Sequence, residues 1–121
     1  KHRRRKMKYL VIAGPSNAAM ERFGTDPKIA EISSRGFQYY KKLQDQGKLE
    51  QYVRLDGPPG SVMIFDVENA EEFARIRAQD PFVPLLGANI KVIPLAKPEA
   101  AFELMDRQAA ELKQKQAKPQ G

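Results

Sequence analysis

The stretch Ser61 to Val67 (SVMIFDV) is apolar on both sides of a predicted strand. In an extended chain Val62 and Ile64 point to one side, and Met63 and Phe65 point to the other, because side chains alternate along a strand. Apolar side chains on both sides require cover on both faces of the sheet. The fold that holds this strand therefore needs a layer of protein on each side of its sheet.

The elements on either side of this run follow the order β-α-β-β-α-β, with one further helix at the end. The predicted strands cover residues 8–13, 49–55, 61–67 and 89–95. The predicted helices cover residues 26–47, 69–79 and 99–116, and residues 16–25 are predicted as a loop. Asp26-Pro27 is a typical helix start, and Gly36 predicts a close approach of that helix to the sheet.

This order predicts an α+β fold of the ferredoxin-like kind, an antiparallel sheet with two helices on one face. Leu10 and Ile12 oppose Tyr9 and Val11, so the first strand is also apolar on both sides. Exposing such a second face would be unfavourable by about 25 cal/mol per Å². We expect either the C-terminal helix or a second copy to cover it. We favour a homodimer, a dimeric α+β barrel with a cavity between the two sheets.

The composition fits one domain and excludes several kinds of chemistry. The chain has 121 residues, no cysteine and one histidine. Thiolate metal sites, cysteine nucleophiles and multi-histidine sites are therefore not expected, and no cofactor or metal is predicted. A cysteine-free chain is compatible with a cytoplasmic protein, and no apolar run is long enough to span a membrane. We divide the chain into residues 1–6, a domain at 7–96 and a C-terminal helical extension at 97–121.

The basic character of the sequence is concentrated at its start. Removing the five positive charges of residues 1–6 from the net charge of +6 leaves +1. We expect residues 1–6 to be a flexible basic arm or a leader segment before Met7, because runs of charge are usually solvated. Nucleic-acid binding is not favoured, since no aromatic residues are interleaved with a basic strand.

The second half resembles the muconolactone isomerase family of the dimeric α+β barrel superfamily. The resemblance rests on these segments: Gly47-Lys48-Leu49, Val53-Arg54-Leu55-x-Gly57, Ser61-Val62-x-Ile64-Phe65-Asp66-Val67, Asn69, Glu71, Asp80-Pro81-Phe82-x-Pro84 and Ile90-x-Val92. A looser similarity to YCII-related proteins lies around residues 80–83. The resemblance implies a ferredoxin-like subunit, dimers that can assemble further, and cofactor-free chemistry on a small carboxylated lactone or ring. The short turn at 56–60 and the extra helix depart from the family pattern and indicate a changed substrate.

Three residues are the candidate catalytic groups. Arg54 falls on an arginine of the resembling segment, and a guanidinium can bind a substrate carboxylate and stabilise an enolate. Glu50 is a candidate proton carrier if it is partly desolvated, and Asp66 is a second candidate. The alternatives are an exposed Arg54–Glu50 ion pair, and an Asp66 carboxylate that accepts backbone hydrogen bonds.

Four aromatic residues are the candidate substrate-binding groups, because each is predicted beside the pocket: Tyr52, Tyr39, Tyr40 and Phe82. For the three tyrosines simple packing is the alternative, and the loop Asp80-Pro81-Phe82-Val83-Pro84 is predicted to shape either a pocket wall or a subunit contact. The sequence thus predicts a small cofactor-independent isomerase, or a related lyase or cyclase, that transfers a proton in a pocket between two sheets. The alternative is a non-catalytic module that binds a ligand or supports oligomer assembly.

Overall fold

The computed structural model describes residues 7–56, 60–86 and 90–117. The elements are β1 (Met7–Ala13), α1 (Asn17–Arg22), α2 (Pro27–Asp45), β2 (Leu49–Arg54), β3 (Ser61–Val67), α3 (Ala70–Ala78), α4 (Val83–Leu86), β4 (Ile90–Leu95) and α5 (Pro98–Ala117). The predicted arm at 1–6 and the centre of the predicted turn, 57–59, lie outside the described residues. The division of the chain after residue 96 stays a prediction, and α5 begins at Pro98.

The four strands form one antiparallel sheet in the order β2-β3-β1-β4. We call the face covered by α2 and α3 the inner face, and the opposite one the outer face. Val11, Met63 and Phe65 lie on the inner face and are fully buried. The side chains that alternate with them are only half-buried. The predicted α+β fold of ferredoxin-like order is confirmed.

A β-bulge in β2 changes which residues face the helices. Leu49 pairs with Phe65, but Gln51 already pairs with Ile64, so Glu50 is an extra residue on β2. Beyond the bulge Tyr52 and Arg54 therefore lie on the inner face together with Leu49. An unbroken period of two along the sequence LEQYVRL predicts Leu49 and Arg54 on opposite faces, and this prediction is wrong because of the bulge.

The outer face is mostly apolar towards its centre and lacks cover in this chain. It carries Leu10, Ile12, Val53, Val62, Ile64, Ile93 and Leu95. In this chain Val53 is 53% exposed and Ile93 is 43% exposed. The helix α5 has no buried residue, so it does not cover this face. Of the two covers expected from the sequence, the chain's own C-terminal helix is thereby excluded.

Two short helices were not predicted. The helix α1 lies within the predicted loop at 16–25, where Ser16 Oγ accepts a hydrogen bond from the Ala19 N–H at 3.1 Å and caps the helix. The predicted start of α2 is confirmed, because Asp26 caps it through the Lys28 N–H.

Among the helices of the described residues, none is both long and apolar enough to span a membrane.

Candidate functional site

A cavity of about 320 Å³ lies between α2, the inner face of the sheet and the segment that contains α4. Its lining is mostly aromatic and apolar, with a few polar side chains. The lining residues are Ala13, Gly14, Pro15, Phe23, Ser33, Phe37, Tyr40, Tyr52, Arg54, Gly60, Ser61, Phe82, Leu85 and Leu86. The cavity is located where β1 and β2 end and β3 begins. The volume is enough for a small ring compound.

Four aromatic rings form one wall of the cavity. The ring centroid of Phe82 lies 5.2 Å from that of Phe37 and 5.4 Å from that of Tyr40. The ring of Tyr52 lies 5.4 Å from that of Tyr40 and 6.4 Å from that of Phe37. The rings come from α2, β2 and the loop before α4. Their mutual contacts hold three separate elements in a fixed relation around the cavity.

Arg54 is the positive charge at this aromatic wall. Its guanidinium carbon lies 5.6 Å from the centroid of the Phe37 ring, within the range of a cation–π interaction. Burial raises the pKa of the Tyr52 hydroxyl, and the neighbouring Arg54 partly opposes this rise. The Arg54 side chain is held against a ring while it remains accessible to a ligand that enters the cavity.

A buried hydrogen-bond network lies behind the aromatic wall. The Tyr40 hydroxyl donates to Asp80 Oδ2 at 2.6 Å, and Arg77 Nη1 donates to the same oxygen at 3.1 Å. The Phe82 N–H donates to Asp80 Oδ1 at 2.8 Å. Burial and the Asp80 carboxylate raise the pKa of Tyr40 far above its usual value near 10. Tyr40 therefore keeps its proton at neutral pH.

Gly36 explains how Phe82 reaches the cavity. The ring of Phe82 packs directly on the backbone of α2 at Gly36, in space that a Cβ atom would occupy. The predicted close approach at Gly36 is thus correct, but the neighbour is an aromatic ring and not the sheet. A residue with a side chain at this position would displace one wall of the cavity.

Comparison with known proteins identifies the family. The muconolactone delta-isomerase family profile matches residues 7–101. The chain belongs to the muconolactone isomerase family. A muconolactone Delta-isomerase of Rhodococcus opacus is 36% identical over 73 residues, which are 60% of this chain and 76% of that protein. The predicted membership of a muconolactone isomerase-like family is confirmed, and it supports the predicted isomerase class of enzyme.

A solved structure shares the fold of this family member. It is the 5-chloro-2-hydroxyhydroquinone dehydrochlorinase TftG of Burkholderia phenoliruptrix AC1100, in complex with 2,5-dihydroxybenzoquinone. The TM-score is 0.56 at 18% sequence identity, and the match covers 74% of this chain and 94% of that chain. At this identity the likeness concerns the fold alone.

The structure brings together four of the seven predicted site residues of this isomerase-family chain. Arg54, Tyr52, Tyr40 and Phe82 all line the cavity. Tyr39 does not, because its hydroxyl donates to the Ile76 carbonyl at 2.8 Å and joins α2 to α3. Its predicted alternative, packing in the core, describes this position.

The two predicted proton carriers lie away from the cavity. The Glu50 carboxylate forms an ion pair with Lys8 Nζ at 2.7 Å, on the outer side of the sheet. The predicted alternative for Arg54, an ion pair with Glu50, is wrong, because Glu50 pairs with Lys8 instead. Asp66 alternates with the buried residues of β3, and its Oδ1 is buried without a hydrogen-bond partner. The bulge and the strand alternation thus place both carboxylates across the sheet from Arg54.

The location expected for the pocket also needs correction. We predicted a cavity between two sheets, on the outer face. The cavity that contains Arg54 lies between the sheet and the helices of one chain, because the bulge directs Arg54 to the inner face. The sheet itself separates this cavity from the outer face.

Sequence reasoning missed two residues of this site. Asp80 was assigned only to a loop that shapes the pocket, yet its side chain is 1% exposed and links Tyr40 to Arg77. Phe37 was not singled out, although it contacts Arg54. The spacing of Phe37 and Tyr40, three residues apart on one helix, was the available signal.

Within the described residues no group of three or more histidine, aspartate or glutamate side chains is placed to hold a metal.

Proposed function

We propose that the protein is a small cofactor-independent isomerase, or a related lyase or cyclase, that acts on a small carboxylated lactone or ring compound. The reaction is a proton transfer next to a carbonyl group, in the cavity between α2 and the sheet. The observation that carries the proposal is the Arg54 guanidinium against the Phe37 ring at the aromatic wall. Membership of the muconolactone isomerase family supports the reaction class.

Arg54 is proposed as the group that holds the substrate anion. Its planar guanidinium can donate two parallel hydrogen bonds to one carboxylate. The flat aromatic side chains at the wall suit a flat ring, and they exclude water from it. In such a site a fixed positive charge stabilises an enolate more strongly than it does in water.

Tyr52 and Tyr40 are proposed as the groups that act on the reacting atoms. Burial raises the pKa of both hydroxyls, so each is a hydrogen-bond donor at neutral pH. Tyr52 is next to Arg54 and can donate to the oxygen of the developing enolate. Tyr40 can accept a proton from a substrate carbon while its own proton passes to Asp80, and the reverse steps return a proton to another carbon.

A homodimer is proposed as the functional form, because the outer face needs cover that this chain does not provide. The apolar side chains of this face come from all four strands, and those on β2 and β4 are exposed. A second copy that presents the same face would bury them, and a face that pairs with itself produces a two-fold dimer. Higher assembly and a cytoplasmic location stay predictions.

A non-catalytic ligand-binding or assembly module is the second candidate. It is favoured by one observation: no aspartate, glutamate or histidine is among the described residues that line the cavity. In this case Arg54 and the aromatic wall would bind an anionic ring without changing it. The two candidates differ in whether a bound ring exchanges a carbon-bound proton with solvent.

The test follows proton exchange at carbon by NMR in D₂O, with muconolactone as the probe. The wild type should incorporate deuterium into the lactone and isomerise it. Arg54→Met should lower kcat/KM by about 10²–10³-fold, the usual effect of losing one transition-state contact, with no change in oligomer mass. Arg75→Met removes an exposed arginine of α3 outside the cavity lining and is the matched control.

Each outcome decides between the candidates. Wild-type turnover in Arg54→Met would overturn the role of Arg54. Binding of muconolactone by calorimetry without any deuterium incorporation would favour the non-catalytic module. Absence of both binding and exchange would contradict the proposed substrate class.

A further inference from the structure

The helix α5 is the part of the chain that the family fold does not account for. The family match ends at residue 101, and α5 continues to Ala117. No residue of α5 is buried. Phe102 and Met105 are each 64% exposed and Leu112 is 62% exposed. Three large apolar side chains on one solvated helix indicate a surface that contacts something else.

The apolar residues of α5 have the spacing of a short coiled-coil seam. Phe102, Met105, Ala109 and Leu112 are separated by three, four and three residues, the a and d positions of a heptad. They form one narrow stripe along the helix, with charged side chains beside it. A stripe of this width fits another helix better than it fits a sheet or a wide groove.

The charges of α5 argue against a membrane as the occupant. The helix carries four acidic side chains against three basic ones. Helices that lie on anionic membranes have a polar face rich in lysine and arginine. The chain's own outer face is not the occupant either, since α5 leaves its stripe exposed.

The charges beside the stripe favour a second copy of α5 in antiparallel orientation. With the helices centred on Arg107, Phe102 lies opposite the partner's Leu112, and Met105 lies opposite the partner's Ala109. Glu99 then flanks the partner's Lys113, which gives two opposite-charge pairs per dimer, against one like-charge pair at the centre, where Asp106 flanks the partner's Asp106. In a parallel pair the flanking positions bring Asp106 beside Ala101 and Lys113 beside Gln108, so no such pair forms.

We propose that α5 is an assembly helix that pairs antiparallel with the α5 of a second copy through the stripe Phe102, Met105, Ala109 and Leu112. The seam is only about one and a half heptads long, which is too short to associate strongly alone. It therefore acts by adding contacts between copies of the full chain, where a high effective concentration makes a short seam effective.

The test is site-specific crosslinking of the full chain, which has no cysteine of its own. Gln108→Cys places a thiol close to its own copy across the antiparallel centre, so a short bismaleimide should join two chains. Gln116→Cys places the two thiols about 27 Å apart along the helix axis in this orientation, at 1.5 Å per residue. In a parallel pair residue 116 would instead lie on the seam opposite itself. The expected result is crosslinking of the first variant only.

A charge exchange checks the orientation independently. In the Gln108→Cys background, Lys113→Glu or Glu99→Lys alone should reduce the crosslinked fraction several-fold, and the two changes together should restore it. Crosslinking at 116 and not at 108 would overturn the antiparallel arrangement. Crosslinking at neither position would overturn the assembly helix altogether.

Discussion

The Tyr40 hydroxyl donates a 2.6 Å hydrogen bond to Asp80 Oδ2, between residues that are 40 positions apart in the sequence. This bond ties α2 to the loop that follows α3. The same carboxylate also accepts from Arg77 and from the Phe82 N–H. The aromatic wall of the cavity is therefore anchored from behind by one buried carboxylate.

Asp80→Asn should be much more destabilising than Tyr40→Phe. The first change removes the partner charge of Arg77, whose side chain is only 14% exposed, and should cost about 3 kcal/mol. The second removes one hydrogen bond and should cost about 1 kcal/mol. Urea unfolding followed by circular dichroism measures the free energy of unfolding of both variants. Tyr39→Phe is the control, because it removes a partly buried tyrosine hydroxyl that donates to Ile76 and not to Asp80. Equal costs for the two variants would contradict the anchoring role of Asp80.

The tyrosines should ionise late when the native protein is titrated with base. Burial raises the pKa of Tyr39, Tyr40 and Tyr52, so their protonated form is favoured by folding. The resulting stability is complete below the unfolded pKa near 10 and is lost as the pH rises above it. Absorbance at 295 nm should show most of the four tyrosines ionising together with unfolding. In protein unfolded by guanidinium chloride the tyrosines should ionise near pH 10. If the native protein gives the same titration curve as the unfolded protein, the prediction is contradicted.

Gly36→Ala should destabilise the protein, although alanine favours helices by about 1 kcal/mol over glycine. The added methyl group would collide with the Phe82 ring. Overpacking of this kind costs about 1–3 kcal/mol in cores, so we expect a net loss. Gln38→Ala, at an exposed site of the same helix, is the control and should be neutral or stabilising. Combining Gly36→Ala with Phe82→Leu, which has a smaller side chain, should remove most of the loss of stability caused by Gly36→Ala. If it does not, the collision does not involve the Phe82 ring.

Ile93→Lys should convert the protein to a single copy without unfolding it. Ile93 is 43% exposed in one chain, so lysine costs little there, but it would place a charge in the proposed sheet-to-sheet contact. Sedimentation equilibrium gives the mass, and thermal unfolding reports the fold. Leu104→Lys is the matched control, since Leu104 is 48% exposed on α5 and lies off its stripe. An unchanged oligomer in Ile93→Lys would contradict the dimer through the outer face.

The order and faces of most elements could be predicted because local patterns determine them. The alternation in β1 and β3 and the Asp26-Pro27 start of α2 all correspond to the structure. The helix α1 was missed although Ser16 is a typical capping residue, because six residues are too few for a clear period. The shortness of the segment is therefore the reason why this helix was missed.

The candidate site was predicted only in part, since a bulge and a long-range contact leave little trace in the sequence. Glu50 occupies the extra position of β2, and nothing in LEQYVR marks it. The burial of Asp80 depends on Tyr40, far away in the chain, so no local pattern indicates it. Arg54 was identified because an arginine at this place in the family-like segment is informative. Its face of the sheet was predicted wrongly, because the alternation in the sequence does not reveal the bulge.

The extra residue in β2 has an evolutionary consequence. A relative that lacks the residue at the position of Glu50 would have an unbroken β2 with Arg54 still on the inner face. A relative of equal length that pairs without the bulge would instead have Arg54 and Val53 exchanged between the two sides of its sheet. Such a protein could align well along its whole length and still have lost the positive charge that faces its ligand chamber. A single gap at this point in an alignment therefore leaves the arginine on the cavity side, and it is the pairing register of β2 in an ungapped relative that decides whether an acid can be held there.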